Sequence, residues 1–373
     1  MTQIVTRSDK LKRIDTLLKK VNSKYNRQVL QLASEVEDYG TLSTPFPTVN
    51  TLCKGIPRGR FTTIAGPEHT GKGAFCLQLI AHHQGLDPDF VALWTDAESA
   101  FDTDWARILG VDLDRVIIQR YTQEQDTMEK ILDNSLHIIK ETKAIDLWVI
   151  DSIGALLPKG DVYDGKDKEK SLSATNMLHL QRKLGEFYRK ANIFIAPSAD
   201  YKGCATVLIG QVYTVPDAHV TLEAVKGGNA VKHWAHLRLL FRRSPRKDWP
   251  SVIDITSPDG TTRKVFPGWG GRVKCDKTRL NANEGKEVLL TFNQGRGFDS
   301  RSATISAAFG LGLFSRKGAY YSSDLLEEDS IQGRENFVNK FLGDDQLFES
   351  LVEKIDKLAL ENHITSGSTL ESP

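Results

Sequence analysis

Lys72 is the residue of this sequence with the most chemistry gathered around it. It sits in the stretch Gly66-Pro67-Glu68-His69-Thr70-Gly71-Lys72-Gly73, which fits the phosphate-cradling pattern G-x-x-x-x-G-K-S/T at every position but the last. In such a loop the main-chain N–H groups converge on the α- and β-phosphates of a nucleotide. The lysine reaches the β- and γ-phosphates, and the hydroxyl after it holds Mg²⁺. Here Gly73 stands in the hydroxyl's place and Ala74 follows it. The reading is a nucleotide site lacking one metal-ligand oxygen. The plain alternative, an exposed first-turn lysine, is disfavoured because a helix N-terminus repels a cation.

Two carboxylates extend the chemistry. Asp151 ends the apolar run Leu147-Trp148-Val149-Ile150, where a carboxylate suits Mg²⁺ held through water; its structural alternative is a helix-capping aspartate. Glu98 follows Asp96-Ala97 at the end of Phe90–Thr95. It is the candidate to orient or deprotonate an attacking water, against the alternative of a surface glutamate in a loop. Gln211 ends a further apolar run, Ala205-Thr206-Val207-Leu208-Ile209.

These residues need elements to hold them. Arg60–Ala65 reads as a strand, Lys72–Gln84 as a helix and Phe90–Thr95 as a short buried strand. Met128, Ile131, Leu132, Ser135 and Ile139 share one helical face, as do Met177, Leu180, Leu184 and Phe187. Strands alternating with helices predict an α/β fold with a mostly parallel sheet covered on both faces. Ligands in such sheets gather beyond the carboxyl ends of the strands, and the phosphate loop, Glu98, Asp151 and Gln211 all fall there.

The flanks differ from this core. The first thirty residues carry eight Lys/Arg against Asp9 and Asp15, and Leu11, Ile14, Leu17, Leu18 and Val21 recur at helical spacing. A basic amphipathic helix follows; a solvated helix, a DNA-binding arm and a face docking on a neighbouring subunit all fit it. Gly40–Pro57 is rich in Thr, Ser, Pro and Gly and marks a linker or a domain entrance. Beyond about Phe298 the pattern changes. Phe348, Leu351, Ile355 and Leu358 predict a terminal amphipathic helix, and the small polar residues Thr365–Pro373 an unstructured tail.

Composition bounds the rest. At 373 residues, with 40% hydrophobic and 26% charged residues, the chain is an ordinary soluble type. A net charge of +1 leaves any basic surface local. The four cysteines are far apart, which argues against a metal or disulfide framework and for a reducing cytosol. The sequence shows neither a membrane-spanning apolar run nor a signal-peptide core, so no membrane partner is expected.

Taken together, the motifs resemble the RecA family of bacterial and phage recombinases. The likeness runs through Gly55–Arg60, Gly66–Lys72, Asp96-Ala97-Glu98, Trp105–Asp112 and Val149–Leu156, then through Gly227–Lys232, Leu237–Arg243 and Arg272–Arg279. Order and spacing hold from about residue 40 to 360. The resemblance implies a RecA-like phosphate-loop ATPase core at 44–298, an N-terminal subunit-docking arm at 1–43 and a small C-terminal α/β domain at 299–373 that gathers duplex DNA. It implies ATP and Mg²⁺ as cofactors and polymerisation as a helical filament on single-stranded DNA. It also implies pairing and strand exchange with homologous double-stranded DNA, and single-strand-binding and mediator proteins as further partners. The expected place is the cytoplasm of a bacterial cell or of a phage-infected host; the altered phosphate loop and divergent DNA loops lean towards a phage-type member.

Residue by residue, the resemblance makes Glu98 the water-activating glutamate and Asp151 the magnesium-site aspartate. Gln211 becomes the glutamine that senses the γ-phosphate. Gly66, Pro67, Glu68, His69, Thr70, Gly71, Lys72, Gly73 and Ala74 line the ATP, Asp102 and Trp105 meet adenine, and Lys277 and Arg279 reach the neighbour's ATP phosphates. The DNA loops fall at Pro158–Ser171 and Val212–Lys226, closed by Gly227-Gly228-Asn229, with Arg182 and Lys226 as DNA-contacting cations. Thr175 departs from the family's second arginine, and Lys226 is the only Lys or Arg of the second loop. The connection Ala196–Gly203 is longer than the family's. A rival reading from a different class is a filament-forming DNA-binding protein that binds ATP but hydrolyses it weakly, because of Gly73.

Overall fold

The computed structural model describes residues 7–25, 29–35, 40–121, 126–163, 177–198, 200–215, 222–225, 227–245, 253–256, 262–265 and 268–365. The chain divides into two compact units, Met1–Gly40 and Thr41–Pro373.

The first unit is a helix, α1 (Arg7–Tyr25), followed by a folded-back strap. Asn22 holds the strap: its Oδ1 accepts from Val29 N (2.8 Å) and Leu30 N (2.9 Å), and its Nδ2 donates to Leu30 O (2.7 Å). Lys19 pairs with Asp15 one turn earlier at 2.9 Å, an exposed pair of small energetic weight. Of the expected apolar stripe, Leu11, Ile14 and Leu17 are exposed, Leu17 at 61%, while Leu18 and Val21 are partly covered.

The second unit opens with a small antiparallel pair, β1 (Thr41–Leu42) and β2 (Ile56–Pro57), bracketing α2 (Pro47–Cys53). The main elements then alternate: β3 (Phe61–Gly66), α3 (Lys72–Leu86), β4 (Ala92–Asp96), α4 (Thr103–Ile108), β5 (Val116–Arg120), α5 (Met128–Thr142) and β6 (Leu147–Asp151). After the short α6 (Lys159–Val162) come α7 (Met177–Phe194), β7 (Ala205–Val215), β8 (Leu222–Val225), α8 (Gly228–Trp234) and β9 (Ala235–Arg243). A hairpin β10–β11 (Ile253–Thr256, Thr262–Val265) precedes β12 (Gly268–Thr278), β13 (Glu287–Asn293) and β14 (Gly297–Phe298).

Among the described residues the large sheet runs β14-β13-β12-β9-β3-β7-β6-β4-β5, with β8 attached to β7. From β9 to β5 every pairing is parallel, and β12, β13 and β14 extend it antiparallel. The mostly parallel expectation therefore describes the centre, with an antiparallel edge beyond it. β7 overruns the expected Ile209 because its second half pairs with β8 across the start of the second loop.

The parallel strands are apolar on both sides because both faces are covered. One face packs against α2 and α3 through Phe46, Phe75, Leu79, Ile80 and Phe241. The other packs against α5 and α7 through Leu132, Leu136, Trp148, Leu184 and Tyr188. α3 is buried nearly all round, which pins the phosphate loop at its N-terminus; each fully buried Phe or Leu contributes about 2 kcal/mol by area. α5 buries only its Met128, Ile131, Leu132, Ser135, Leu136 and Ile139 stripe, as its spacing predicts.

The C-terminal part has its own core of Ile305, Phe314, Tyr321, Phe337, Phe341, Leu351 and Ile355. It comprises α9 (Ser300–Gly310), a three-stranded sheet β15–β16–β17 (Ser315–Lys317, Tyr320–Ser322, Ile331–Gln332), α10 (Arg334–Gly343) and α11 (Asp345–Thr365). Asp299 caps α9, accepting from Ser302 N at 3.1 Å and Ser302 Oγ at 2.6 Å. The expected tail beyond Thr365 lies outside the described residues. At the connection Ala196–Gly203, Ser198 and Tyr201 exchange main-chain hydrogen bonds and the Tyr201 hydroxyl donates to Ile145 O at 2.7 Å.

Candidate active site

The strand register brings the sequence-derived residues to one edge. Gly66 lies opposite Gln211 and Asp96 opposite Asp151, and β3, β7, β6 and β4 are consecutive neighbours. The carboxyl ends of four adjacent parallel strands thus present the phosphate loop, Gln211, Asp151 and the segment leading to Glu98.

The loop's shape depends on two glycines. A Cβ on Gly66 would stand 2.2 Å from Phe241 O, and Gly71 has φ +79 with Phe298 Cζ 2.7 Å from where a Cβ would sit. Thr70 braces the turn, its Oγ1 donating to Pro67 O at 2.8 Å. The Lys72 ammonium donates to Gly66 O (3.0 Å) and Pro67 O (2.6 Å). At 9% exposure burial lowers its pKa, while Asp151, Glu98 and Glu68 pull it back up. A half-desolvated ammonium lodged on carbonyls is well placed to exchange them for phosphate oxygens.

The carboxylates behave differently from one another. Asp96 is 1% exposed yet satisfied, accepting from Ala100 N (2.9 Å), Phe101 N (3.1 Å) and Arg120 Nε (3.1 Å). Asp151 has no ion pair among the described residues. Burial first, then the charges of Glu98 and Asp96, push its pKa up to about 7 against the weaker pull of Lys72. Glu98 is exposed, and its Oε1 accepts a short hydrogen bond from the hydroxyl of Ser152, itself 2% exposed. Gln211 Nε2 reaches Glu68 Oε1 at 3.4 Å, linking β7 to the phosphate loop. Ala74 is buried under that loop.

Other expected residues lie elsewhere. The Asp102 carboxylate caps α4, accepting from Asp104 N (2.9 Å) and Trp105 N (3.0 Å), and Trp105 is half-buried against the core. Arg182 is exposed on α7, with Glu186 at 3.6 Å. Gly227 and Gly228 take φ +100 and +62 at the start of α8, and Asn229 is exposed. Lys226 lies outside the described residues, as do 164–176 and 216–221 of the two proposed DNA loops.

Lys277 and Arg279 sit at the opposite edge of the sheet. β12 runs antiparallel to β9, pairing Thr278 with Leu237, and β9 starts beside Phe61 at the head of β3. Five strand rises, about 17 Å, separate that end of β3 from the phosphate loop. The Lys277 ammonium donates to Lys232 O (2.6 Å) and His233 O (3.2 Å), the last carbonyls of α8.

Two contacts escaped the sequence reading. Ser152 orients Glu98, and its place directly after Asp151 was the available signal. Arg243 donates from Nε to His69 O at 3.1 Å and lies over Trp269 at 4.9 Å; it depends on β9 ending beside the loop, which no local pattern encodes.

Comparison with known proteins agrees with the motif reading. The model of the RecA N-terminal domain matches residues 12–253. A protein named "Protein RecA" from Borrelia duttonii (strain Ly) is 30% identical over 320 residues, covering 85% of this chain and 79% of its own length. Another of that name, from Wolbachia pipientis subsp. Culex pipiens (strain wPip), is 29% identical over 367 residues, covering 96% of this chain and 93% of its own length. Among the described residues, no helix is long and apolar enough to cross a membrane.

Proposed function

The chain belongs to the RecA family of recombination proteins, and on that premise we propose that it is a DNA-dependent ATPase that polymerises head to tail on single-stranded DNA and exchanges strands with homologous duplex. The observation that carries this reading is the division of the catalytic set between the two ends of one sheet. Lys72, Glu98, Asp151 and Gln211 lie at the carboxyl end of the parallel strands and Lys277 and Arg279 at the opposite end, which supports a site completed by a second subunit.

Within that site the N–H groups of Gly66–Ala74 and the Lys72 ammonium bind the phosphates. Glu98, held by Ser152, positions and deprotonates the attacking water. Gln211 senses the γ-phosphate and passes its presence into β7 and the second DNA loop. Lys277 and Arg279 of the next subunit neutralise charge as it develops on the transferred group, which makes turnover depend on the filament. Asp102 and Trp105 are the proposed adenine contacts, and Arg182, Lys226, Gly227, Gly228 and Asn229 the DNA contacts.

The residues fit a divalent cation. Asp151 is a half-buried carboxylate short of positive charge, and the space beside Gly73 is open towards its Oδ2. Asp151 would hold Mg²⁺ there, and the ion would supply neutralisation of the β- and γ-phosphate charge. Water must replace the oxygen that Gly73 lacks. That absence favours the second reading, a filament that binds ATP and hydrolyses it slowly.

We assign residues 1–43 as the subunit-docking arm, 44–298 as the ATPase core and 299–373 as the duplex-gathering domain. The working place is the cytoplasm of a bacterium or infected host, where single-strand-binding and mediator proteins would be met. Electron microscopy with single-stranded DNA and a non-hydrolysable ATP analogue is expected to show extended helical filaments; discrete rings or particles would overturn the reading. ATP turnover with and without single-stranded DNA then separates the two readings, because stimulation is expected of the recombinase and its absence of the slow binder.

A further inference from the structure

The turn that carries Glu98 is fastened more firmly than a surface loop requires. Ala97 N donates to Asp151 O at 2.7 Å, which ties the start of the turn to the neighbouring strand. Phe101, at its end, is held on both sides: its N–H donates to Asp96 Oδ2 and its carbonyl accepts from Arg120 Nη2, each at 3.1 Å. Arg120 Nε closes the ring by donating to the same Asp96 Oδ2 at 3.1 Å. Between these anchors Ser99 takes φ +54, a left-handed conformation that a residue with a Cβ rarely adopts. Glu98 therefore sits beside a strained kink, and such a kink persists only where its surroundings hold it.

We propose that Arg120 is a positioning residue for ATP hydrolysis, acting through Asp96 and Phe101 to fix the turn that presents Glu98 to the attacking water. The proposal rests on the reading of Glu98 as the water-activating residue and deepens it. Asp96 is 1% exposed, and among the described residues Arg120 is the one cation within ion-pair distance of it. Without the guanidinium that buried carboxylate would lose its compensating charge. Its two other donors, Ala100 N and Phe101 N, belong to the turn itself, so a displaced carboxylate carries the turn with it. The planar fork of an arginine serves both acceptors at once, Asp96 Oδ2 through Nε and Phe101 O through Nη2.

The alternative is a surface ion pair of no consequence, which is what exposed pairs usually are. Here the carboxylate is buried and the guanidinium also closes on the main chain of the turn, so geometry is at stake as well as charge. Nucleotide binding should not follow. α4, with the proposed adenine contacts, begins beyond Phe101 and has its own anchors in the Asp102 cap and the buried Ala106 and Leu109. The phosphate loop follows β3, with β7, β6 and β4 between it and β5. Loss of Arg120 must therefore slow turnover and spare affinity.

The test compares the full chain with its Arg120→Ala and Arg120→Lys variants, using single-stranded DNA and saturating ATP for turnover and a fluorescent ATP analogue for affinity. Arg120→Ala is expected to lose on the order of tenfold in kcat and to keep its nucleotide Kd within about twofold. Millimolar guanidinium should restore part of the lost turnover, because the place it would take is half open to solvent; a general loss of packing would not respond to it. Arg120→Lys keeps a charge beside Asp96 without the fork, so it should match the parent in thermal unfolding and fall between the two in turnover. Should Arg120→Ala fail to fold, the lysine variant decides alone, and parent-level turnover in it overturns the proposal. Parent-level turnover in Arg120→Ala does the same, as does a loss of turnover matched by an equal loss of affinity. These outcomes leave the recombinase reading standing. A parent chain without DNA-stimulated turnover sinks the assignment of Glu98 instead, and the proposal with it.

Discussion

Gly73 has ordinary helical backbone geometry, and the nearest atom to a Cβ built on it is Asp151 Oδ2 at 3.8 Å. Nothing steric demands glycine, so a hydroxyl can be returned. Gly73→Thr is expected to lower the Mg²⁺ concentration needed for half-maximal nucleotide binding by on the order of tenfold, since even outer-shell partners of a metal count for that much. Gly73→Ala should leave it unchanged. An equilibrium Mg²⁺ titration with a fluorescent ATP analogue checks both, and identical curves would refute the assignment of the missing oxygen.

Asp151 gives a second prediction at this scale. Its pKa rises from 3.8 to about 7 on folding, so the folded state binds more protons than the unfolded one between those values. Stability from this group falls as pH climbs from about 4 to about 7 and stays low above. Asp151→Asn should therefore raise the unfolding free energy of the nucleotide-free protein at pH 8, by on the order of 2 kcal/mol, and leave it nearly unchanged at pH 4, while abolishing ATP turnover. A chemical denaturation series across pH reads the difference.

Elements show what local pattern can and cannot encode. Leu147–Ile150 and Ala205–Ile209 read as buried strands because both their faces are covered, which erases alternation. The rule that ligands gather at carboxyl ends singled out Glu98, Asp151 and Gln211, and the register brings the ends of their strands together. β12 and β13 were not legible in the same way. Their burial is uneven, and β12 has glycines at 268, 270 and 271, so neither strand carries a clean periodicity. The tie from Arg120 to Asp96 and Phe101 was invisible for a related reason: it needs β4 and β5 side by side, with Asp96 opposite Arg120. Ser152 and Arg243 likewise act through register rather than spacing.

At the scale of the whole molecule, the proposed trans reading sets a donor end and an acceptor end on opposite ends of one sheet; such a heterologous contact would propagate as a filament unless it closed into a ring. Lys277→Ala and Lys72→Ala should each abolish DNA-stimulated turnover, the former retaining some DNA binding. Mixed in equal amounts, they should recover about a quarter of wild-type activity, the frequency at which random assembly sets an intact loop against an intact cation edge. A mixture as inactive as its parts would contradict action in trans.

The Lys277 ammonium caps the last turn of α8, the helix whose first residues close the proposed second DNA loop. One ammonium cannot satisfy those carbonyls fully and also sit on a neighbour's phosphates. Whatever free energy the phosphates gain by drawing it away must reappear as a changed preference of that helix for its DNA-free or DNA-bound arrangement. Thermodynamic reciprocity makes the exchange symmetrical: DNA on one subunit alters the hold on nucleotide in the next by the same factor that nucleotide alters the hold on DNA. A filament joined this way would couple each nucleotide to the proposed DNA loop of the adjoining subunit, and that loop back to the nucleotide, through a single side chain.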